Sequence, residues 1–285
     1  MTAPRATAPR VTREVRVLYL VPIDREVNRE YVRALRAAIE NLQLWYQQHR
    51  GTGETFALAK PVVEVIHTAH EASWYAATPS GGSDPSSLWF WFNVTAEGRT
   101  LAEQRTKADD DILLFYIEAD PACGQATGAV GGYALLPAND LRGLAGEPIL
   151  DLCSGNLRPN EGTCRWVGGL GHELGHAIAL PHPPGCEAGD ASCATWSLMW
   201  FGWITYPDAY FTSTEQSLLD ASGLMNLTRV NGRVRPCDAL AGGSRPPMSG
   251  AADRMSVARS PMMPSACASR ELASALSEHG ASTLQ

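Results

Sequence analysis

The sequence predicts an α+β fold: a twisted sheet carrying helices. Three observations point there. Residues 15–21 and 61–66 are short apolar runs separated by a long amphipathic stretch, and such a strand–helix–strand unit makes parallel strands through a right-handed crossover. Residues 111–119 form a near-continuous apolar run, as a strand buried on both faces does. A helical pattern opening at Gly162-Thr163 then carries His172-Glu173-x-x-His176.

Each element follows in order. Residues 1–13 are rich in Pro, Thr, Ala and Arg and read as disordered. The first helix spans about 25–48, because Val32, Leu35, Ile39, Leu42, Trp45 and Tyr46 recur at spacings of three and four. His67, His70 and Glu71 are too few ligands for a metal site. Leu88-Trp89-Phe90-Trp91-Phe92 opens a helix to about Gln104 and packs in the core, with an aromatic partner-binding patch as the rival reading. The glycine run 124–132 lacks the strand–turn–helix setting of a phosphate loop. It leads to a strand at Tyr133-Ala134-Leu135-Leu136, closed by Pro137. Residues 149–153 read as a further short strand. After the histidine helix, Pro183-Pro184-Gly185 and the aromatic stretch 200–211 lead to a last helix, capped within Ser213-Thr214-Glu215-Gln216 and running to about Leu224. Residues 238–285 contain no Phe, Trp, Tyr or Ile, and such a segment reads as a disordered tail. The expected folded domain is therefore 14–237.

The chemistry centres on the histidines. Four residues is a little over one helical turn, so His172 and His176 project from one face and can share a metal ion. Zinc suits neutral imidazole ligands. His182 lies six residues after His176, out of reach on a straight helix. The chain must turn back, and Pro181 fits a helix end there. Three histidines leave one coordination position open, the mark of a catalytic rather than a structural zinc. Glu173, about 100° around the helix from His172, can serve as general base.

His172-Glu173-x-x-His176-x-x-Ala179-x-x-His182, with Met199 downstream, resembles the metzincin signature of zinc metalloproteases. The resemblance implies a zinc metalloendopeptidase with one catalytic Zn2+, and a twisted mixed sheet with an antiparallel edge strand above the cleft. It makes 14–237 a catalytic domain with an upper part to about 180 and a small irregular lower part at 181–237. It places Tyr133, Ala134, Leu135 and Leu136 on that edge, where an extended substrate can add as a strand. It makes Met199 the Met-turn, an apolar floor beneath the histidines, and makes 200–211 the wall of a substrate pocket. Some members have a tyrosine two residues after the methionine; here that residue is Phe201, so an oxyanion contact would fall to Tyr206, Tyr210 or Tyr133. Ala179 also departs from the family, which has glycine there. The helix either turns in a left-handed conformation at Ala179, the expectation preferred here, or continues through it and turns at Leu180-Pro181.

Composition bounds the partners. A formal net charge of −7 without a basic block argues against nucleic acid and anionic membrane surfaces. No apolar run reaches the length of a membrane span. No signal peptide is visible, yet seven cysteines fit an oxidising compartment. Cys153 with Cys164, and Cys186 with Cys193, bracket short loops and read as disulfides; Cys123, Cys237 and Cys267 have no evident partner, and all-free thiols is the alternative. By resemblance the protein is a monomer in the extracellular space, acting on protein or peptide. The alternatives are a zinc hydrolase of a small amide or peptidic metabolite, and a non-catalytic binding protein on the same scaffold. Retention of Glu173 speaks against the last.

Overall fold

The computed structural model describes residues 13–105, 110–227 and 229–240. In chain order the elements are β1 (Glu14–Val21), α1 (Arg29–His49), β2 (Ala57–His67), α2 (Ala72–Ala77), α3 (Trp89–Arg105), β3 (Ile112–Ile117), β4 (Gly128–Val130), β5 (Tyr133–Leu136), α4 (Ala138–Ala145), β6 (Ile149–Leu150), β7 (Leu157–Arg158), α5 (Thr163–Ala177), α6 (Leu198–Thr205) and α7 (Ser213–Ala221). The main sheet has the order β2-β1-β3-β5-β4. Every pairing in it is parallel except β4 with β5.

Both faces of the sheet are covered, which is why β3 is apolar throughout and β1 is apolar from Val17 to Val21; Arg16, buried at the start of β1, is paired with Glu64. Val17, Tyr19 and Val21 alternate with Leu18 and Leu20, and the two sets enter separate cores. On one face α1 and α5 lay Leu42, Trp45, Tyr46, Val167 and Leu174 against Val17, Leu114 and Tyr116. On the other, α3 lays Phe90, Trp91 and Val94 against Leu18, Leu20, Phe115 and Leu135. Phe90 and Trp91 are fully buried, so the aromatic run at the start of α3 is core rather than a partner-binding patch. The α1 start falls at Arg29 rather than 25, because the Asn28 side chain accepts from the Glu30 amide and caps the helix. Likewise Thr212, one residue earlier than expected, caps α7 in a capping box with Glu215.

Four expectations need correction. First, Tyr133, Ala134, Leu135 and Leu136 are not the sheet edge: β5 lies between β3 and β4. The antiparallel edge is β4, joined to β5 through Gly131 and Gly132. A three-residue Gly-Ala-Val strand inside a glycine run carries no alternation to read.

Second, the disulfide pairing differs. Cys186–Cys193 forms, but Cys153 bonds Cys123 and Cys164 bonds Cys237. Sequence proximity does not set pairing; Cys164 sits in the first turn of α5 and faces the returning C-terminal segment. Cys267 and the weak helix expected near 269–278 lie outside the described residues, as do 1–12 and 241–285.

Third, chain through Leu240 is ordered: Leu240 is buried in the core next to Cys237, three residues past the expected boundary. Fourth, the short strand expected at 149–153 forms but is confined to Ile149–Leu150, which pairs with 157–158 in a separate two-stranded ribbon. No helix among the described residues is long and apolar enough to cross a membrane.

Candidate metal centre

The site is built on α5 and the turn that follows it. One face of α5 is glycine, at Gly168, Gly171 and Gly175, and this lets neighbours approach its backbone. A Cβ on Gly168 would sit 2.3 Å from the Gly202 carbonyl oxygen of α6. A Cβ on Gly175 would sit 2.1 Å from the Met199 sulfur. Met199, fully buried, therefore lies directly on the helix turn between His172 and His176. The α5 C-terminus is docked on the edge hairpin, since the Gly132 amide donates to the Ala177 carbonyl at 2.8 Å. That bond sets β4 beside the histidine helix.

The helix ends in a Schellman motif. The Leu180 amide donates to the Gly175 carbonyl at 2.9 Å, and the Ala179 amide to the His176 carbonyl at 2.8 Å. Between them Ala179 has φ of 74°, the sole positive φ at a non-glycine among the described residues. The turn is thus left-handed at Ala179, as expected, and it swings Pro181 and His182 back over the helix.

All three histidines converge. His176 Nε2 lies 3.1 Å from His172 Nε2 and 3.0 Å from His182 Nε2. Each Nδ1 faces an acceptor: the Leu198 carbonyl at 2.9 Å for His172, the Leu180 carbonyl at 2.8 Å for His176, and Glu187 Oε1 at 3.2 Å for His182. A carbonyl only accepts, so Nδ1 of His172 and His176 carries the proton, and a neutral ring then has its lone pair on Nε2. Burial pushes the His172 pKa well below the usual histidine value, with His176 next in effect. Burial, then the neighbouring His182, pushes His176 down to about 4. Converging imidazole lone pairs repel one another unless a cation sits between them. Ligands on a tetrahedral zinc with bonds of 2.0–2.1 Å stand about 3.3 Å apart, close to the spacing found. The donor set therefore fits zinc, with a fourth position open. Among the described residues no other group of three or more metal-binding side chains occurs. His70, near the rejected His67 and Glu71, stacks on Trp74 with ring centroids 3.6 Å apart.

Glu173 lies beside the triad. Its Oε2 is buried and has no hydrogen-bond partner. Burial pushes the Glu173 carboxyl up to about 8, the Asp140 carboxylate adds to the rise, and Arg165 opposes it. A carboxylate so placed takes a proton readily.

The tyrosines divide. Tyr206 is buried, and its hydroxyl accepts from Asn41 Nδ2 at 3.2 Å, so it is a core residue and not an oxyanion donor. Tyr133 stacks on Trp91 in the core on the opposite face of the sheet. Tyr210 alone keeps an exposed side chain, on a segment whose carbonyl accepts from the Leu198 amide at 2.9 Å. Three functional contributions carry no sequence signal: the Leu198 and Leu180 carbonyls, which any residue supplies, and Glu187, which only the folded loop brings to His182. Trp200, the first residue of the aromatic stretch 200–211, meets the His182 ring at a centroid distance of 5.2 Å, a contact that its sequence position does not specify.

No protein-family model matches the chain, and no curated protein matches it in sequence. Among solved structures, the catalytically inactive OgpA of Akkermansia muciniphila, in complex with an O-glycopeptide (glycodrosocin) substrate, superposes with a TM-score of 0.50 at 20% identity. That match covers 79% of this chain and 64% of OgpA, so the chain spans just under two thirds of that protein's length. Archaemetzincin of Methanopyrus kandleri gives a TM-score of 0.40 at 17% identity, over 76% of this chain and 98% of that one. Metalloproteinase-II of Bacteroides fragilis gives 0.34 at 10%, over 75% and 55%. At such identities OgpA shares the fold and nothing finer. The sheet order, antiparallel edge and histidine triad make this fold metzincin-like.

Proposed function

We propose that the chain is a zinc-dependent metalloendopeptidase that hydrolyses peptide bonds. The observation that carries this reading is the convergence of three Nε2 atoms beside a half-buried carboxylate whose Oε2 is buried and unpartnered. His172, His176 and His182 would hold the zinc. Bound there, zinc supplies a Lewis acid that acidifies water and polarises a carbonyl. Glu173 takes the proton from the attacking water and returns it to the leaving amine, and its raised pKa suits both transfers. Met199, packed on Gly175, serves as the apolar floor that keeps the two helical histidines in register.

The substrate reading rests on β4. Pairing with β5 uses one side of β4, and its other side is a strand edge able to bind an extended peptide. Trp200, Phe201 and Tyr210 are assigned to the cleft wall, with Tyr210 as the oxyanion-side candidate. OgpA's O-glycopeptide extends the substrate class to be tested. Three disulfides fit an oxidising compartment, and we assign the protein to the extracellular space on that ground.

The test is hydrolysis of casein, of quenched peptides and of an O-glycosylated peptide, with chelator and with zinc restored. Chelator-sensitive cleavage that returns with zinc is expected. Absence of cleavage in every arm by zinc-loaded protein would overturn the reading.

A further inference from the structure

We infer that Glu187 is a positioning residue for the third metal ligand, held in place by the small loop that the Cys186–Cys193 disulfide closes. The inference rests on the zinc reading above and concerns how this chain completes the site.

The three histidines are not held alike. His172 and His176 stand on α5, and main-chain carbonyls orient their rings. His182 stands outside any helix, between two prolines' worth of irregular chain. Its Nδ1 faces a side chain, Glu187 Oε1, at 3.2 Å. A flexible glutamate is a costly anchor, since fixing it loses rotamer freedom. The loop reduces that loss. Cys186 is buried, and its disulfide to Cys193 spans seven residues. Inside the ring the Gly189 amide donates to the Cys186 carbonyl at 3.1 Å and the Cys193 amide to the Asp190 carbonyl at 3.0 Å, and the Asp190 amide reaches back to the Gly185 carbonyl just outside it at 2.9 Å. The backbone beneath Glu187 is therefore fixed, and the carboxylate is delivered to His182. Trp200 closes on the same imidazole at an interplanar angle of 81°. A carboxylate on Nδ1 fixes the tautomer, aims Nε2 at the metal and raises its basicity.

The test uses the full chain, stripped of metal and titrated with zinc against a competing chromophoric chelator. Cobalt(II) replaces zinc in parallel, and its visible spectrum reports ligand geometry. Glu187→Ala should bind zinc about 10–100-fold more weakly, as loss of such a partner typically does, and alter the cobalt spectrum. Glu187→Gln keeps an acceptor oxygen at the same reach and should recover most of the loss. The metal-free melting temperature should stay unchanged in both, because the Glu187 side chain is about half exposed. Zinc affinity within twofold of the unaltered protein in Glu187→Ala would overturn the positioning role. So would equal losses in Ala and Gln, or a matching fall in metal-free stability. Failure of the unaltered protein to bind zinc at all would instead overturn the metal reading itself.

Discussion

Substituting glycine for Ala179 should stabilise the metal-free protein. Ala179 sits at φ of 74°, where the Cβ of an L-residue crowds the following carbonyl at a cost of about 1–2 kcal/mol. Glycine removes that crowding. It also adds unfolded-state entropy, worth about 0.4–1 kcal/mol in the opposite sense. Ala179 is exposed, so its methyl group contributes no buried contact to lose. The two Schellman bonds at 2.8 and 2.9 Å are main-chain bonds and survive the change. The balance is a gain centred near 0.8 kcal/mol, or roughly 2–3 °C for a domain of this size. Thermal unfolding in chelator, with disulfides intact, is the assay; zinc is withheld because its binding would mask so small a term. Ala179→Val provides the opposite sign, since a β-branched residue is a worse occupant of positive φ. A fall in melting temperature for Ala179→Gly would refute the claim that strain is stored at this turn.

Glu173→Gln should retain zinc and fold but lose about 10²–10⁴-fold in peptide hydrolysis; near-normal turnover would remove Glu173 as the base. The same variant tests the titration of Glu173. Its folded pKa of about 8 lies above the ordinary 4.5, so the folded state holds the extra proton and stability falls as pH rises through that range. The window from 6.5 to 8 lies above the opposing histidine range, so metal-free protein should lose stability there and the Gln variant should not, as pH-dependent denaturant melts will report. Gly175→Ala places a methyl 2.1 Å from the Met199 sulfur and should destabilise by about 1–3 kcal/mol while weakening zinc binding; an unchanged melt would mean Met199 can step aside freely. Cys237→Ser opens a bridge between residues 73 apart and should cost about 4 kcal/mol on the chain-entropy model, readable in denaturant titration, with peptide mapping checking the pairing itself.

How far the site was legible follows from which parts of it are periodic. His172, Glu173, His176 and His182 were readable because helical spacing and a following proline dictate geometry from sequence alone. β1 and β3 were readable because a continuous apolar run mirrors burial on both faces, and α1 because its threefold–fourfold spacing mirrors the one face it buries. The edge strand was not: Gly128, Ala129 and Val130 are defined by their hydrogen-bond partner β5 and have no pattern of their own. The pocket tyrosines divide on the same principle. Tyr206 looked available because it follows the methionine closely, but the α6 backbone turns it toward Asn41 of α1, a partner 165 residues away.

Cysteine pairing shows most clearly why such features escape a linear reading. Cys153 and Cys164 are eleven positions apart, and nothing in their spacing forbids a bridge. In the fold they belong to different structural jobs. Cys123–Cys153 ties the loop after β3 to the loop after β6, whereas Cys164–Cys237 ties the first turn of α5 to the C-terminal segment. The second bridge therefore fixes the start of the helix whose other end carries the histidines. Its partner segment is also held by Asn41, which accepts from the Arg235 amide at 2.7 Å, and by Leu240 in the core. A helix anchored at its N-terminus by a disulfide, along its length by glycine contacts with α6, and at its C-terminus by the edge hairpin can hold a strained turn at Ala179. The ligand geometry thus depends on contacts spread over most of the chain, and the four motif residues specify only what those contacts position.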